Sequence, residues 1–154
     1  MVSVQSLLSP LQVTAAALLA ASATLLALRA GKKRRRVTKG GPLYSKAIAF
    51  DSIVYVSGQV AVIPGTTKLV HGGIESQTRQ AILNLKQALE ESGSSLDRVL
   101  KTTCFLNDIA DYAAFNKIYL EFFNDEGIRP ARVCFGPGGL PLGALVEIDA
   151  TAMC

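Results

Sequence analysis

The chain has 154 residues, 49% of them hydrophobic, enough for one domain with a buried core. Its net charge of +4 is unevenly divided: residues 1–41 hold seven basic residues and no acid, which leaves nine basic against twelve acidic residues, about −3, beyond them. A weakly acidic domain lacks the basic face that phosphate-backbone binding needs, so the charge argues against a nucleic-acid partner.

In chain order, the first feature is a run without charge from Val13 to Leu28, followed by the basic cluster Lys32 to Arg36. Against the ~20 residues of a spanning helix the run is short. Residues 1–41 read best as a membrane anchor through residues 13–28, with the basic flank and the domain on the cytosolic side. A mitochondrial or plastid presequence is the alternative, since no acid precedes Asp51. A cleaved secretory signal fits less well, because the start carries no positive charge.

The domain is expected over residues 42–154. YSKAIAFDSIVYVSGQ reads as two strands, Ser45–Phe50 and Ile53–Ser57, around an Asp51-Ser52 turn. AVIPGTTKLVHGG is a loop, and His71 within it, the one histidine, reads as a loop residue. From Ile74 the period becomes helical, with Thr78, Ala81, Ile82, Leu85, Ala88 and Leu89 on one face and Gly93 as the stop. Val99–Leu106 reads as a strand. A second helix follows, with Tyr112, Phe115, Ile118, Tyr119 and Phe122 inward and Gly127 ending it. Strands at Ala131–Phe135 and Ala144–Met153 flank a Gly-Pro-Gly-Gly interruption, where Pro137 should end the first of them early. The order β-β-α-β-α-β-β predicts an α+β sandwich, two helices on one face of a mixed sheet. The other face is left to water or to another subunit.

Alternation then assigns faces to the last two strands. Val133, Phe135, Val146, Ile148, Ala150 and Ala152 are expected to meet the helices. Arg132 and Cys134, with Glu147 and Asp149, are expected on the uncovered face. The plain reading of Arg132 and Glu147 is a cross-strand ion pair or half of a subunit contact. Three cysteines without CxxC spacing and one histidine argue against a disulfide framework, a zinc site or a histidine-centred triad.

The segments YSKAI, VYVSGQ, NLKQALEESGSSLDRVLKTTCFLNDIADYAAFNKIYLEFF, PAR and LPLGALVEIDATA occur in that order. Together, from Tyr44 to Ala152, they resemble the RidA (YjgF) family of reactive-intermediate imine deaminases. The resemblance implies a chorismate-mutase-like fold, assembled as a homotrimer with clefts between neighbouring subunits. It also implies hydrolysis of carboxylate-bearing enamines and imines, such as 2-aminoacrylate, 2-iminopropanoate and 2-iminobutanoate, to 2-keto acids and ammonia, without metal or organic cofactor. By the same resemblance Arg132 grips the substrate carboxylate and Glu147 directs or activates the attacking water. Cys134 is the small residue beside the carboxylate site. Tyr44, Ser57, Gly58 and Asn116 line the cleft. Two departures from the family pattern stand out: Leu43 lies between Pro42 and Tyr44, and Gly136–Gly139 replaces strand-forming residues. Two other readings stand beside it: an RNA-acting translation inhibitor or endoribonuclease, as members of this family have been described, and a non-catalytic trimeric binding or chaperone-like protein that retains the fold but not the activity.

Overall fold

The computed structural model describes residues 35–124 and 129–154. The run at residues 13–28 and the helix stop expected at Gly127 lie outside them. Among the described residues no helix is long and apolar enough to cross a membrane.

Six strands form one sheet: β1 Arg35–Thr38, β2 Ala47–Phe50, β3 Ile53–Val60, β4 Val99–Leu106, β5 Ala131–Phe135 and β6 Val146–Met153. Their order is β1-β2-β3-β6-β4-β5. Only β4 and β5 run parallel; the other neighbours are antiparallel. A parallel pair needs a crossover, and α2, Tyr112–Phe122, supplies it. The longer helix α1, Ile74–Glu91, joins β3 to β4 through a short 3-10 turn. The result is the expected α+β architecture with one strand more than the sequence pattern announces.

That extra strand, β1, lies in the basic segment before residue 42, where charge conceals a strand that pairs antiparallel with β2. Arg36 explains how it holds. Its Nη2 donates to the Ser92 carbonyl at 3.1 Å, at the C-terminal end of α1, where a cation is favoured by the helix dipole. Gly93, which turns the chain out of α1 at φ +80°, leaves room for that guanidinium; a Cβ there would sit 3.2 Å from Arg36 Nη2. Thr38 and Ser92 share a hydroxyl–hydroxyl bond of 2.7 Å beside it.

Both helices pack on the same face. Ala81, Ile82, Leu85, Ala88 and Leu89 of α1 and Phe115 and Tyr119 of α2 meet Val54, Val56, Cys104, Ile148, Ala150 and Ala152 in one core. Each fully buried Leu or Ile there contributes about 1.5–3 kcal/mol. The apolar spacing of α1 and the alternation of β6 are therefore realised as the sequence predicts. The opposite face keeps Tyr55, Val133, Phe135 and Met153 largely exposed.

Candidate active site

The two charged residues singled out by the sequence lie on opposite faces of the sheet. The register of β4 and β5 settles this: Thr102 is the partner of Arg132 and Cys104 the partner of Cys134. Thr102 and Cys104 are fully buried toward the helices, so Arg132 and Cys134 point that way too. The expectation that they share the uncovered face with Glu147 is overturned, as is the inward placement of Val133 and Phe135. Alternation fixes which residues share a face, not which face it is. Apolar residues misled here because the open face is itself apolar: Phe135 meets Phe105 edge-on, with ring centroids 5.0 Å apart. Arginine can lie on the helix side because its stem is apolar and its head reaches the rim.

One stripe of α2 receives that head. Tyr112, Phe115, Asn116 and Tyr119 recur at i, i+3, i+4 and i+7 and so lie along one side of the helix. Arg132 Nη1 donates to Asn116 Oδ1 at 2.8 Å, and Nη2 donates to the Tyr112 hydroxyl at 2.9 Å. The guanidinium carbon stands 4.7 Å from the Tyr119 ring centroid, with Tyr112 and Phe115 at 5.6 and 5.7 Å. Tyr119 is itself fixed by a buried 2.9 Å bond between its hydroxyl and Thr102 Oγ1. Every one of these partners is neutral, and among the described residues Arg132 makes no salt bridge. Its charge is oriented by dipoles and rings.

Cys134 is half-buried between this cradle and the core. Burial pushes its thiol pKa up, and Arg132 offsets part of that rise. Across the ladder, burial pushes the Cys104 thiol to about 12. Both are poor nucleophiles at neutral pH. Among the described residues β5 is also the last strand of the sheet, so its outer backbone groups have no strand partner there.

Glu147 occupies the open face, aligned with Phe105 of β4 and Val60 of β3. The ladder between β3 and β6 shifts register between Val56 and Gln59, a bulge that sets Ser57 and Gly58 apart. Glu147 lies directly over that bulge. A Cβ on Gly58 would come within 1.8 Å of Glu147 Oε1, so only glycine leaves the carboxyl room. The Glu147 pKa is raised, first by burial and then by the neighbouring Asp149 charge. Ser57 is committed to structure as a donor: its hydroxyl donates to the Ser45 carbonyl at 2.8 Å. This bond and Ser57 N–H to Lys46 O at 3.0 Å tie the Tyr44 loop to the bulge.

Tyr44 is 63% exposed and lines, with Lys39, Lys46, Gly58, Gln59 and Asn84, an open cleft of about 790 Å³. Neither Arg132 nor Glu147 borders that cleft. The extra Leu43 is absorbed in the exposed turn before Tyr44. β5 stops at Phe135 as Pro137 predicts, and Gly136 passes tightly by Leu106, whose carbonyl oxygen would be 3.3 Å from a Cβ. Two groups thus emerge within one protomer. Arg132, Asn116 and Cys134 stand on the helix side of the sheet; Glu147 and Gly58 stand on the open side, with Ser57 and Tyr44 alongside. Tyr112 and Tyr119, read from sequence only as inward helix positions, touch Arg132, and Tyr112 is 42% exposed rather than inward. Their i, i+3, i+4, i+7 spacing around Asn116 was the available signal. Among the described residues no three metal-ligating side chains converge.

Comparison with known proteins agrees with this architecture. The family model described as Endoribonuclease L-PSP matches residues 38–154. A mouse (Mus musculus) protein named 2-iminobutanoate/2-iminopropanoate deaminase is 40% identical over 113 residues, 73% of this chain and 82% of the relative. The Schizosaccharomyces pombe protein mmf1, named as mitochondrial, is 40% identical over 121 residues, 77% of this chain and 72% of the relative. Among solved structures, one from Entamoeba histolytica described as a putative endoribonuclease L-PSP is 42% identical, with a TM-score of 0.73 over 79% of this chain and 100% of its own. Fold, register and sequence therefore converge: the chain belongs to the RidA (YjgF) family, whose matching model carries the name endoribonuclease L-PSP.

Proposed function

We propose that this protein hydrolyses reactive imines and enamines that carry a carboxylate, 2-aminoacrylate with its tautomer 2-iminopropanoate and the homologous 2-iminobutanoate, to 2-keto acids and ammonia. One observation carries the reading: Arg132 is a half-buried cation whose partners among the described residues are all neutral. A guanidinium so oriented, with no ion pair among the described residues, is suited to a carboxylate, which it binds through parallel, charge-assisted hydrogen bonds. The mouse relative's name supports the same substrate class.

The chemistry then asks little of the protein. An enamine tautomerises to its imine, whose carbon is electrophilic. Water adds to that carbon while Glu147 takes one of its protons and returns it to nitrogen, giving the carbinolamine. The carbinolamine's hydroxyl proton then passes through the same carboxylate to nitrogen as the C–N bond breaks, leaving the keto acid and ammonia. A carboxyl whose pKa is raised by burial is a better proton carrier near neutrality than an ordinary glutamate. Holding the carboxylate and aiming one water accounts for much of the rate, since positioning alone is worth up to about 7–11 kcal/mol.

Arg132 and Glu147 are kept apart by the sheet of one protomer. In this reading the working site is therefore assembled between two copies, with Arg132, Asn116 and Cys134 from one and Glu147, Gly58, Ser57 and Tyr44 from its neighbour. The apolar open face, with Tyr55, Val133, Phe135 and Met153 exposed, supports association through that face, as a homotrimer by analogy with the family. For location, the mitochondrial relative favours an organelle presequence over a membrane anchor in residues 1–34.

The test generates 2-aminoacrylate in situ with a pyridoxal-phosphate serine dehydratase and follows 2-keto acid formation. The protein should accelerate it above the spontaneous rate, and Arg132→Ala should lose that acceleration. Equal rates with and without wild-type protein would overturn the reading. The family model's name raises RNA cleavage as the rival, and the same preparations assayed on RNA decide it: cleavage that survives Arg132→Ala would favour the rival. The net charge near −3 beyond residue 41 argues against it.

A further inference from the structure

Arg132 presents its terminal nitrogens to two neutral acceptors, and these differ in what they have left to offer. Asn116 accepts from Nη1 through its amide oxygen. Tyr112 accepts from Nη2 through its hydroxyl oxygen, which is also a donor. The Tyr112 hydroxyl makes no other hydrogen bond among the described residues, so its proton stands free beside the guanidinium. Tyr112 begins α2 and is 42% exposed, whereas Phe115 and Tyr119, one and two turns further on, are buried. The phenol is thus the outermost member of the cradle, at its solvent end, where an incoming anion arrives.

We propose that Tyr112 is a second member of the carboxylate clamp. It positions the guanidinium by accepting from Nη2, and it donates its own O–H to the substrate carboxylate. The inference rests on the proposed function and deepens it by naming a substrate-binding residue. Two geometric consequences support it. A guanidinium bonded at both Nη1 and Nη2 cannot rotate about its stem without breaking one of the bonds, so its remaining N–H edge keeps a fixed direction. A hydroxyl that accepts from a cation is polarised, and its O–H becomes the better donor. Together they present two kinds of donor side by side, which suits the two oxygens of a carboxylate. Neutral ligands of the same size lack the negative charge shared by the two oxygens and would gain little from the pair.

Tyr112→Phe isolates this role, because the ring and its packing against Arg132 remain and only the hydroxyl is lost. Full-length wild-type protein, Tyr112→Phe and Arg132→Ala are titrated with sodium pyruvate by isothermal calorimetry, and KM and kcat for in-situ 2-aminoacrylate are measured in parallel. The expected result is a roughly tenfold weaker pyruvate Kd and a similar rise in KM for Tyr112→Phe, with kcat within about twofold of wild type, while Arg132→Ala abolishes pyruvate binding. A purely structural hydroxyl would leave Kd and KM unchanged; that result, with Arg132→Ala still abolishing binding, overturns the role of Tyr112 and leaves the arginine clamp standing. Undiminished pyruvate binding in Arg132→Ala overturns the clamp itself, and this inference with it. A fall in kcat at constant KM for Tyr112→Phe also contradicts the proposal, since it would place the hydroxyl in the chemical step.

Discussion

Gly58→Ala adds one methyl group, and the structure states where it goes. The new Cβ would stand 1.8 Å from Glu147 Oε1, 2.7 Å from Cδ and 3.0 Å from Cγ. Non-bonded heavy atoms pack at about 3.5–4.0 Å, so the carboxyl must withdraw by more than an ångström. The backbone needs no such change, because Gly58 does not occupy the left-handed region. The stability cost is that of an off-rotamer glutamate, about 1 kcal/mol. The catalytic cost is larger, because a displacement of 1 Å at a reacting group is worth about 100-fold in rate. Gly58→Ala should therefore fold and melt a few degrees below wild type, with kcat for 2-aminoacrylate hydrolysis reduced about 100-fold. The assay is keto-acid release at saturating substrate, alongside thermal unfolding. Gly58→Ala/Glu147→Gln should be no slower than Glu147→Gln alone, since both changes act on the same carboxyl. A Gly58→Ala protein with the wild-type rate would refute the claim that Glu147 works from the position it occupies over the bulge.

Because burial and then Asp149 raise the Glu147 pKa, the rate should fall, as pH is lowered, at a higher pH than an ordinary carboxylate would give, and Asp149→Asn should move that inflection downward. The same raised pKa means that the folded protein holds this proton to higher pH than the unfolded chain, so stability is lost as pH rises through the window between the two values. Glu147→Gln should consequently be the more stable protein at neutral pH and lose that advantage below the unfolded pKa; a chemical-denaturation series across pH measures both. With its thiol at about 12, Cys104 should resist iodoacetamide at pH 8 in the folded protein and react only after denaturation, as peptide mass mapping would report. Arg36→Ala removes a hydrogen bond and a cation at the end of α1 and should cost about 1 kcal/mol of stability.

The parts of this fold that could be read from sequence were those with a period. In α1 seven positions from Ile74 to Leu89 match the buried face, and in β6 the alternation from Val146 to Ala152 does the same. Periodicity fails where two surfaces compete. In β5, Val133 and Phe135 looked like core because they are apolar, yet they cover the open face, and Arg132 and Cys134, which alternate with them, belong under α2. The parity of a five-residue edge strand is decided by its register with β4, a tertiary fact. β1 was hidden for a different reason: it opens on two arginines, and Arg36 reaches the end of α1. Among site residues, Arg132 and Glu147 were legible only as charges in apolar strands, and Gly58 only through the family pattern. Their relation to one another was not legible, because which side of a sheet a residue occupies is set by the partners of its strand.

The central claim is that one site takes Arg132 from one protomer and Glu147 from another. Subunit mixing tests it most directly. Arg132→Ala and Glu147→Gln proteins, each inactive alone, are denatured together in equal amounts, refolded, and assayed for 2-aminoacrylate hydrolysis. If the two residues meet across an interface, sites that draw Arg132 from the Glu147→Gln chain and Glu147 from the Arg132→Ala chain are intact. Random assembly then restores about one quarter of wild-type activity. If both residues serve a site within a single protomer, no chain in the mixture carries the pair and the refolded sample stays inactive, which would contradict the account.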